Sequence, residues 1–360
     1  MKIVFASDLH LNKEKGWTLN VLKELVEKAK EFSNILILGG DVFDSFYDLK
    51  VLKDFFVSTI NDSSLEKVFF VPGNHDIYGS SLKDLAKINF GNKIFTFTQT
   101  PYSIVTFEKE ELEFLIIPFQ KDLSSLYNKD IEFSKNFRIV IGHGSLIDFN
   151  FNEEEENSFF DYEFFNLVNA KIVFLGHIHN SNLNDINIEQ KIIYPGSARI
   201  WRKGEDGKHG FIVYDTKTNE IIFNKLENGG EYIRINIELD GDKFFIDKTV
   251  FENLPLNCFL EIIFKGIVYS DNSIENIKMK IKQLLKEKSI INKDEASLFN
   301  TDNVINATNY YNLEIFKVFM KKWKKFYSNE TDEKERENYL LARKLFIEEL
   351  GQFLVGGRED

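Results

Sequence analysis

The sequence contains a single cysteine, Cys258, in 360 residues. One cysteine excludes an internal disulfide bond and a metal cluster held by several thiolates of one chain. Long apolar runs are also absent from the sequence, since none approaches the ~18 residues that a membrane-spanning helix needs. The N-terminal residues MKIVFASDLHLN contain only a brief apolar stretch, too short for the core of a secretory signal. We therefore expect a soluble, cytoplasmic protein.

The sequence also lacks an excess of positive charge, because its formal net charge is -12 at pH 7. DNA affinity depends largely on cations that neutralise phosphates, so this charge argues against non-specific adhesion through the whole surface. A polyanion would have to bind a local basic patch, and three runs offer one: residues 199–210, 278–288 and 317–326. In the first of them, Arg199, Arg202 and Lys203 are candidate phosphate or DNA contacts. Solvated loops and helix faces are the ordinary alternative for such runs.

The pattern of apolar residues predicts an α/β protein of two or three domains. Eight runs rich in Val, Ile and Phe predict strands within residues 1–225: KIVFA, NILIL, KVFFV, EFLIIPF, FRIVIG, KIVFLG, KIIYPG and GFIVYD. Helical patterns at about 18–31 and 47–60 separate the first three strands, as in parallel sheets with crossover helices. A mixed sheet, or two stacked sheets with helices outside, fits this alternation.

The pattern of apolar residues changes after residue 228. Two further strand candidates follow, and then helices are predicted at about 272–288, 311–327 and 332–354. The second of these helices has one apolar face with lysines around it. We place domain boundaries near residues 228 and 305.

Five short polar motifs follow predicted strands: SDLH, GGD, GNHD, GHG and GHIH. Loops at the carboxyl edge of an open α/β sheet are where ligands usually bind. The motifs supply eight candidate site residues: Asp8, His10, Asp41, Asn74, His75, His143, His177 and His179. Each motif alone is a weak signal, because a lone histidine is more often a core or surface residue than a ligand. The five motifs in order, each after a strand, indicate a common site.

The residue types in these motifs are typical of a site for two divalent ions. Carboxylates, an amide oxygen and neutral imidazoles suit borderline ions such as Mn²⁺, Fe²⁺ or Zn²⁺ rather than Ca²⁺. Two such ions about 3.5–4 Å apart activate a shared water and stabilise displacement at phosphorus. Asp8 and His10 stand two residues apart, as do His177 and His179, so on extended segments both members of each pair would face one pocket. Glycines beside Asp41 and the other ligands would let the backbone approach closely.

The ordered motif set resembles the calcineurin-like metallophosphoesterase superfamily over residues 1 to about 225. The resemblance implies a two-sheet core flanked by helices. It implies two ligand sets that share Asp41 as a bridge: Asp8, His10, Asp41 and His179 for one ion, and Asp41, Asn74, His143 and His177 for the other. It also implies that His75 stays off the metals and acts on the scissile phosphate as the catalytic residue. Asp76 would support the imidazole of His75, with a turn-capping role as the alternative.

Two stretches, GGDVFDS and YPGSARIW, resemble the SbcD-like branch of double-strand-break repair nucleases. That branch implies a nuclease domain over 1–228, a smaller α+β capping domain over 229–305, and a C-terminal helical segment over 306–360 that binds an SbcC-like SMC-type ATPase. It further implies a homodimer and a Mn²⁺-dependent DNA phosphodiesterase, a 3′–5′ exonuclease with single-strand endonuclease activity in DNA end processing. Asp44 stands where archaeal and eukaryotic relatives carry a histidine, although bacterial members often have an aspartate there.

Two other functions stay open at this point. The first is a phosphodiesterase or phosphatase for a small nucleotide or a lipid headgroup, with the helical tail as a lid. The second is a scaffold or DNA-end-binding subunit whose metal site is structural. The complete ligand set argues against the scaffold, because an inactive relative would be free to lose His75.

Overall fold

The computed structural model describes residues 1–77, 81–127, 137–146, 159–183, 192–240, 243–244, 248–269, 272–292 and 294–356. The chain divides into two compact units. The first comprises Met1–Tyr232 with Pro255–Asn257, and the second comprises Ile233–Leu254 with Cys258–Asp360. The prediction of a separate capping domain and helical segment within the second unit stays a prediction.

The strands are β1 (Lys2–Ala6), β2 (Ile35–Gly39), β3 (Lys67–Val71), β4 (Ile94–Thr96), β5 (Ser103–Phe107), β6 (Leu112–Ile117), β7 (Phe137–His143), β8 (Ser145–Leu146), β9 (Phe159–Phe160), β10 (Ile172–Gly176), β11 (Ile192–Ile193), β12 (Gly210–Asp215), β13 (Glu220–Lys225), β14 (Tyr232–Asp240), β15 (Lys243–Phe244), β16 (Phe259–Val268) and β17 (Phe299–Asn306). The helices are α1 (Thr18–Ala29), α2 (Phe46–Asn61), α3 (Ser124–Tyr127), α4 (Tyr162–Leu167), α5 (Lys248–Glu252), α6 (Asn272–Leu285), α7 (Glu295–Leu298), α8 (Glu314–Asn329) and α9 (Glu333–Gly356).

Two mixed sheets form the first unit. One has the strand order β13-β12-β1-β2-β3-β4, and the other has the order β11-β10-β7-β6-β5. Strands β1 to β4 are mutually parallel, and so are β6, β7, β10 and β11. A crossover helix separates β1 from β2 and another separates β2 from β3, as the sequence predicts.

The central strands β1, β2 and β3 of the first sheet are buried on both faces because, after their first residue, they carry no polar side chain. Side chains in β1 alternate between two cores: Ile3 and Phe5 pack toward the second sheet, while Val4 and Ala6 pack against α1 and α2. Phe5 stacks on Phe174 of β10, with ring centroids 5.4 Å apart. Such two-faced burial is typical of parallel strands covered on both sides. The predicted two-sheet core flanked by helices is confirmed.

Helix α2 begins directly beside the candidate site. The Ser45 hydroxyl accepts a hydrogen bond from the Asp48 main-chain N–H at 3.1 Å, which caps the first turn. Leu49 and Phe56 of the helix are buried in the core. This cap places Asp44 and the first turn of α2 next to the loop after β2.

The second unit has its own sheet, with the strand order β15-β14-β16-β17. Helix α6 covers it through Ile277 and Ile281, which pack in one cluster with Leu260 and Ile262 of β16. Helices α8 and α9 pack on each other, with the rings of Phe319 and Phe346 stacked at 3.8 Å. None of the helices in the described part of the chain has the length and apolar character of a membrane span.

Candidate metal centre

Five loops bring the predicted site residues to one edge of the two sheets. Strands β1, β2 and β3 are neighbours in the first sheet, and β7 and β10 are neighbours in the second. Parallel strands end at the same edge, so the residues after them converge. These residues are Asp8, His10, Asp41, Asn74, His75, His143, His177 and His179, and all of them are buried or half-buried.

The main chain turns sharply at four of these residues. Positive φ angles occur at Asp8 (55°), His10 (44°), Asp41 (49°) and His177 (95°). Such angles are uncommon outside glycine, and strained positions of this kind cluster at functional sites. The prediction that Asp8 and His10 lie on an extended segment is therefore wrong, and the same holds at His177. His10 instead bends toward the β2 loop, and its N–H donates to the carbonyl of Asp41 at 2.9 Å.

Two glycines allow the loops to approach the cluster. A Cβ at Gly40, where φ is 100°, would overlap Nδ1 of His143. A Cβ at Gly73 would overlap the carboxylate of Asp41. Because any side chain at these positions would displace a candidate ligand, the predicted role of the glycines is confirmed there.

The candidate ligands form two groups that meet at Asp41. Asp8, His10 and His179 have ligand atoms within 4.8 Å of one another, and so do Asp41, His143 and His177. Oδ2 of Asp41 lies 3.3 Å from Nε2 of His143 and 3.9 Å from Nε2 of His10. One carboxylate oxygen therefore faces both groups. This is the division that the resemblance implies, and the assignment of each residue to an ion stays a prediction.

Hydrogen bonds on the outer side of the cluster orient two imidazoles for metal binding. Nδ1 of His143 lies 2.9 Å from the carbonyl of Gly39, and Nδ1 of His179 lies 2.5 Å from Oε1 of Glu205. Both partners are acceptors, so Nδ1 carries the proton and Nε2 of a neutral ring presents its lone pair to the cluster.

The inner side of the cluster brings acceptors together. Nε2 of His143 lies 3.2 Å from Oδ1 of Asn74, and Nε2 of His179 lies 3.1 Å from Nε2 of His10. Lone pairs that converge in this way repel unless cations or protons lie between them. The donor set therefore fits two divalent ions.

The electrostatics of the cluster agrees with this fit. Burial opposes a charge on His143, but Asp41 and Asp8 outweigh it and raise the pKa of His143 to about 9. Burial would raise the pKa of Asp41, yet His143 and His10 hold that pKa well below its usual range. Burial lowers the pKa of His10 to about 4, against the opposing effect of Asp44 and Asp41. The site thus keeps the buried Asp41 carboxylate charged and holds a proton on His143, where a cation would bind.

His75 is placed beside the cluster. Its main-chain N–H donates to Oδ1 of Asp41 at 2.9 Å, and its Nδ1 lies 2.8 Å from the carbonyl of Asp44. The carbonyl is an acceptor, so Nδ1 carries the proton and Nε2 remains for a substrate. The ring meets that of His10 edge-on at 4.8 Å and lines a pocket.

Asp76 does not support the imidazole of His75 as expected. It has the alternative role, that of a turn-capping aspartate. Asp76 is fully buried, and its carboxylate accepts hydrogen bonds from the N–H groups of Val42, Phe43 and Gly73. Burial and then the charge of Asp41 raise the pKa of Asp76 to about 7. Asp76 thus caps the turns that carry Asp41 and Asn74, while the carbonyl of Asp44 orients His75.

The three predicted phosphate contacts have different outcomes. Arg199 is only 1% exposed, and its guanidinium donates to the carbonyls of Leu9, His10 and Ile200. A role for Arg199 in DNA contact is therefore wrong, because the side chain holds the His10 loop from inside. Arg202, with a side chain 57% exposed, and Lys203 line a pocket beside His177 and His179, where a phosphate contact stays a prediction.

Two further residues support the cluster. Glu205 is buried and accepts from His179, and its other oxygen accepts the N–H of Trp201 at 2.6 Å. The Trp201 ring stacks on His10 at 4.7 Å, and its Nε1 donates to Oδ1 of Asp44 at 2.8 Å. The motif analysis missed Glu205 and Trp201. They follow the YPGS motif in a run of charged residues that resembles an exposed loop, and only the fold brings them to His10 and His179.

Two pockets adjoin the cluster. One, of about 550 Å³, is lined by Asn74 and His75 together with the first turn of α2. The other, of about 240 Å³, is lined by His177 and His179 together with the loop of Arg202 and Lys203. A phosphate bound at the cluster would therefore have room for a substituent on each of two sides.

Comparisons with solved structures find several of limited similarity. A purple acid phosphatase from yellow lupin (Lupinus luteus) is 13% identical over 62% of this chain and 52% of its own, with a TM-score of 0.40. An archaeal phosphodiesterase is 16% identical over 63% of this chain and 100% of its own, with a TM-score of 0.35. A dimetal phosphatase from Danio rerio is 11% identical over 59% of this chain and 91% of its own, with a TM-score of 0.39. The present chain thus spans about half the length of the lupin enzyme. A comparison with curated protein sequences finds no match.

The family described as calcineurin-like phosphoesterase matches residues 1–181, half of the chain. This region carries all eight candidate site residues, and its strands bring them together at one edge. The chain therefore belongs to the calcineurin-like phosphoesterase family, whose members are metal-dependent phosphoesterases that bind two divalent ions.

Proposed function

We propose that the protein is a Mn²⁺-dependent DNA phosphodiesterase of the SbcD-like branch, a 3′–5′ exonuclease and single-strand endonuclease in DNA end processing. The observation that carries this proposal is the pair of pockets that adjoin one cluster. A monoester needs room on one side of the phosphorus only, whereas a phosphodiester has substituents on two. Two pockets therefore favour a diester, and a DNA strand has this form at every phosphate.

The residues of the chain have distinct roles in such a reaction. Two divalent ions held by the two ligand groups would supply an activated water and neutralise phosphate charge. His75, oriented through Nδ1 by the carbonyl of Asp44, places Nε2 to donate a hydrogen bond to the phosphate or a proton to the leaving oxygen. Arg202 and Lys203 lie at the rim of the smaller pocket, where they would attract a flanking phosphate.

Three features support DNA as the substrate. Lysines stand near the His75 pocket and basic residues line the other, so both bring cations toward a polyanion. The YPGSARIW stretch resembles that of the SbcD-like branch. Helix α8 carries a lysine-rich face, which we assign to an SbcC-like SMC-type ATPase in a homodimeric complex. The partner would add cationic surface that a chain of net charge -12 lacks.

A phosphodiesterase for a small nucleotide or lipid headgroup is the second candidate. The pocket beside His75 favours it, because about 550 Å³ lies within the range of sites for small molecules. In that case hydrolysis of small diesters would greatly exceed cleavage of DNA.

The test is a gel assay of the purified protein with Mn²⁺ on end-labelled single- and double-stranded DNA, run beside His75→Ala and a chromogenic phosphodiester. We expect cleavage of DNA by the wild type and a loss of at least about 100-fold in the variant, a magnitude ordinary for a general acid. Metal content by mass spectrometry is the control, and both ions should stay bound to the variant. A fall in metal content would make His75 a ligand, and hydrolysis of the small diester alone would favour the second candidate.

A further inference from the structure

The larger pocket has a wall that the metal chemistry does not use. Asn74 and His75 form its inner end, and the first turn of α2 contributes Phe46, Tyr47 and Lys50. Among the described residues, Tyr47 and Lys50 form no hydrogen bond or ion pair with a candidate ligand. The wall is therefore available to the part of a substrate that flanks the phosphate.

Tyr47 is an aromatic platform at this wall. It is 58% exposed, although it lies on a helix whose neighbouring residues Phe46 and Leu49 are buried. Its hydroxyl accepts a hydrogen bond from Nζ of Lys13 at 2.8 Å. Exposed aromatic residues on their own are normal, but Tyr47 lines a pocket that also contains His75, and a lysine holds its hydroxyl end. Nζ of Lys13 also lies over the ring, 4.7 Å from its centroid, so the exposed remainder of the ring is the part that can receive a planar partner.

Hydrogen bonds fix the loop that holds this platform. The main-chain N–H of Lys13 donates to Oδ1 of Asp48 at 2.9 Å, and Nδ2 of Asn12 donates to Oδ2 of Asp44 at 2.7 Å. The loop after β1 is thus joined to the start of α2 at two points. A platform held in place binds with less loss of conformational freedom than a mobile side chain.

The charges around the platform select the ligand. Nζ of Lys13 lies over the Tyr47 ring, 4.7 Å from its centroid, and Nζ of Lys50 lies over the Phe46 ring at the same distance. The carboxylate of Asp44 also lines the pocket, but it accepts hydrogen bonds from Asn12 and Trp201. An exposed aromatic ring with two ammonium groups nearby suits a flat ring that carries an anionic group, which is the chemistry of a nucleotide.

We propose that the pocket beside His75 is a nucleobase subsite, in which Tyr47 stacks on the base of the nucleotide next to the scissile phosphate and Lys13 and Lys50 attract its neighbouring phosphates. This inference rests on the proposed DNA phosphodiesterase activity and adds the recognition of one base to it. Stacking on an aromatic side chain tolerates every base, so the subsite would bind without sequence preference.

The experiment uses a substrate with one scissile bond. The full-length Mn²⁺-loaded protein is given thymidylyl-thymidine, or either analogue in which an abasic sugar replaces one thymidine, and kcat/KM is measured by chromatography. The variants are Tyr47→Ala, Tyr47→Phe, which keeps the ring, and Val51→Ala as a control on an exposed position of α2 outside the pocket. A 20-nucleotide single strand tests DNA cleavage itself.

We expect Tyr47→Ala to lower kcat/KM on the dinucleotide by roughly 5- to 150-fold, the range for loss of one stacked base. Tyr47→Phe should lose much less, and Val51→Ala nothing. One abasic analogue should be a poor substrate for the wild type by a similar factor, and Tyr47→Ala should cause no further loss on it. This dependence of one loss on the other identifies contact between the ring and the base.

Two results would overturn the inference, and they differ from each other. If the wild type cleaves DNA but Tyr47→Ala loses the same factor on the normal and both abasic substrates, the base subsite is wrong and the proposed function stands. If the wild type cleaves neither the dinucleotide nor the longer strand yet hydrolyses methyl p-nitrophenyl phosphate, the proposed function fails and the subsite fails with it.

Discussion

At the scale of single residues, the site is organised by acceptors that stand behind the imidazoles. The Gly39 carbonyl holds His143, Glu205 holds His179, and the Asp44 carbonyl holds His75. Each acceptor fixes the proton on Nδ1 and leaves Nε2 for the cluster or the substrate. Two of the three are main-chain carbonyls, which mutation cannot remove. Glu205 is therefore the position at which this effect can be measured.

We expect Glu205→Ala to weaken metal binding about 10- to 100-fold, the usual effect of losing a partner behind a metal-bound histidine. Glu205→Gln should retain most of the affinity, because its amide oxygen still accepts from Nδ1 of His179. The measurement is Mn²⁺ affinity by calorimetry, with activity at saturating Mn²⁺ as the second reading. Equal losses of Mn²⁺ affinity in both variants would show that the charge of Glu205, rather than the orientation of His179, determines metal binding.

Metal binding should release protons. The pKa of His143 is about 9 in the metal-free protein, so the ring is protonated at pH 7 and must lose that proton before Nε2 can bind a cation. Metal affinity should consequently rise as pH increases toward 9, by about tenfold per unit where one proton competes. Calorimetry of Mn²⁺ binding in two buffers of different ionisation enthalpy counts the protons. Affinity that does not change between pH 7 and 8 would contradict the raised pKa.

The sequence allows the candidate site residues to be predicted but not their supports. Asp8, Asp41 and His75 stand in short motifs directly after apolar strands, so their common edge follows from parallel-strand topology. Glu205 and Trp201 have no such motif. The basic run at 199–210 predicts Arg199 as a phosphate or DNA contact, whereas the carbonyls of Leu9 and His10 hold its side chain inside.

At the scale of secondary structure, the strands that the sequence did not predict are mostly at sheet edges. Strands β4, β5, β13, β15 and β17 each end a sheet, and β8 and β9 form a short pair of their own. An edge strand has one neighbour and one exposed side, so its residues need not form a continuous apolar run. The sequence of β17 does not indicate a strand, because four consecutive residues are polar: Asn300, Thr301, Asp302 and Asn303. Its pairing with β16 defines the strand.

A buried ion pair joins the two central strands β6 and β7. Glu113 and Arg138 are paired in the strand register, with Nε of Arg138 2.6 Å from Oε2 of Glu113. Nη1 of Arg138 also donates to the carbonyl of Val168 at 2.9 Å, just after α4. The pair explains why an apolar strand tolerates a glutamate, and it makes either single residue costly to lose.

We expect Arg138→Met to lower the free energy of unfolding by about 3–5 kcal/mol, because Glu113 would remain buried without its cation. The double variant with Glu113→Leu should recover most of this loss, since no unpaired charge would remain. Urea denaturation followed through the tryptophan fluorescence of the first unit measures both. A double variant as unstable as Arg138→Met would mean that the lost bond to Val168, rather than the charge on Glu113, causes the effect.

At the scale of the whole molecule, the net charge of -12 limits how the proposed DNA substrate can bind. Repulsion between the acidic surface and phosphates confines attraction to the local cations near the two pockets. In the first unit, four residues supply these cations: Lys13, Lys50, Arg202 and Lys203. The lysines of α8 belong to the second unit, and we assign them to the ATPase partner.

We therefore expect weak binding of single-stranded DNA by the chain alone, with a steep but limited dependence on salt. Each phosphate neutralised contributes ~0.7 to the slope of log K against log salt, so four cations give a slope of about -3. Fluorescence anisotropy of His75→Ala on a labelled strand, at several salt concentrations, measures the slope without cleavage. Lys50→Gln should reduce the slope by ~0.7, while Lys322→Gln, on an exposed position of α8, should leave it unchanged. An equal reduction by Lys322→Gln would assign the lysines of α8 to DNA, and a slope near zero would remove the cations of the pockets from DNA binding.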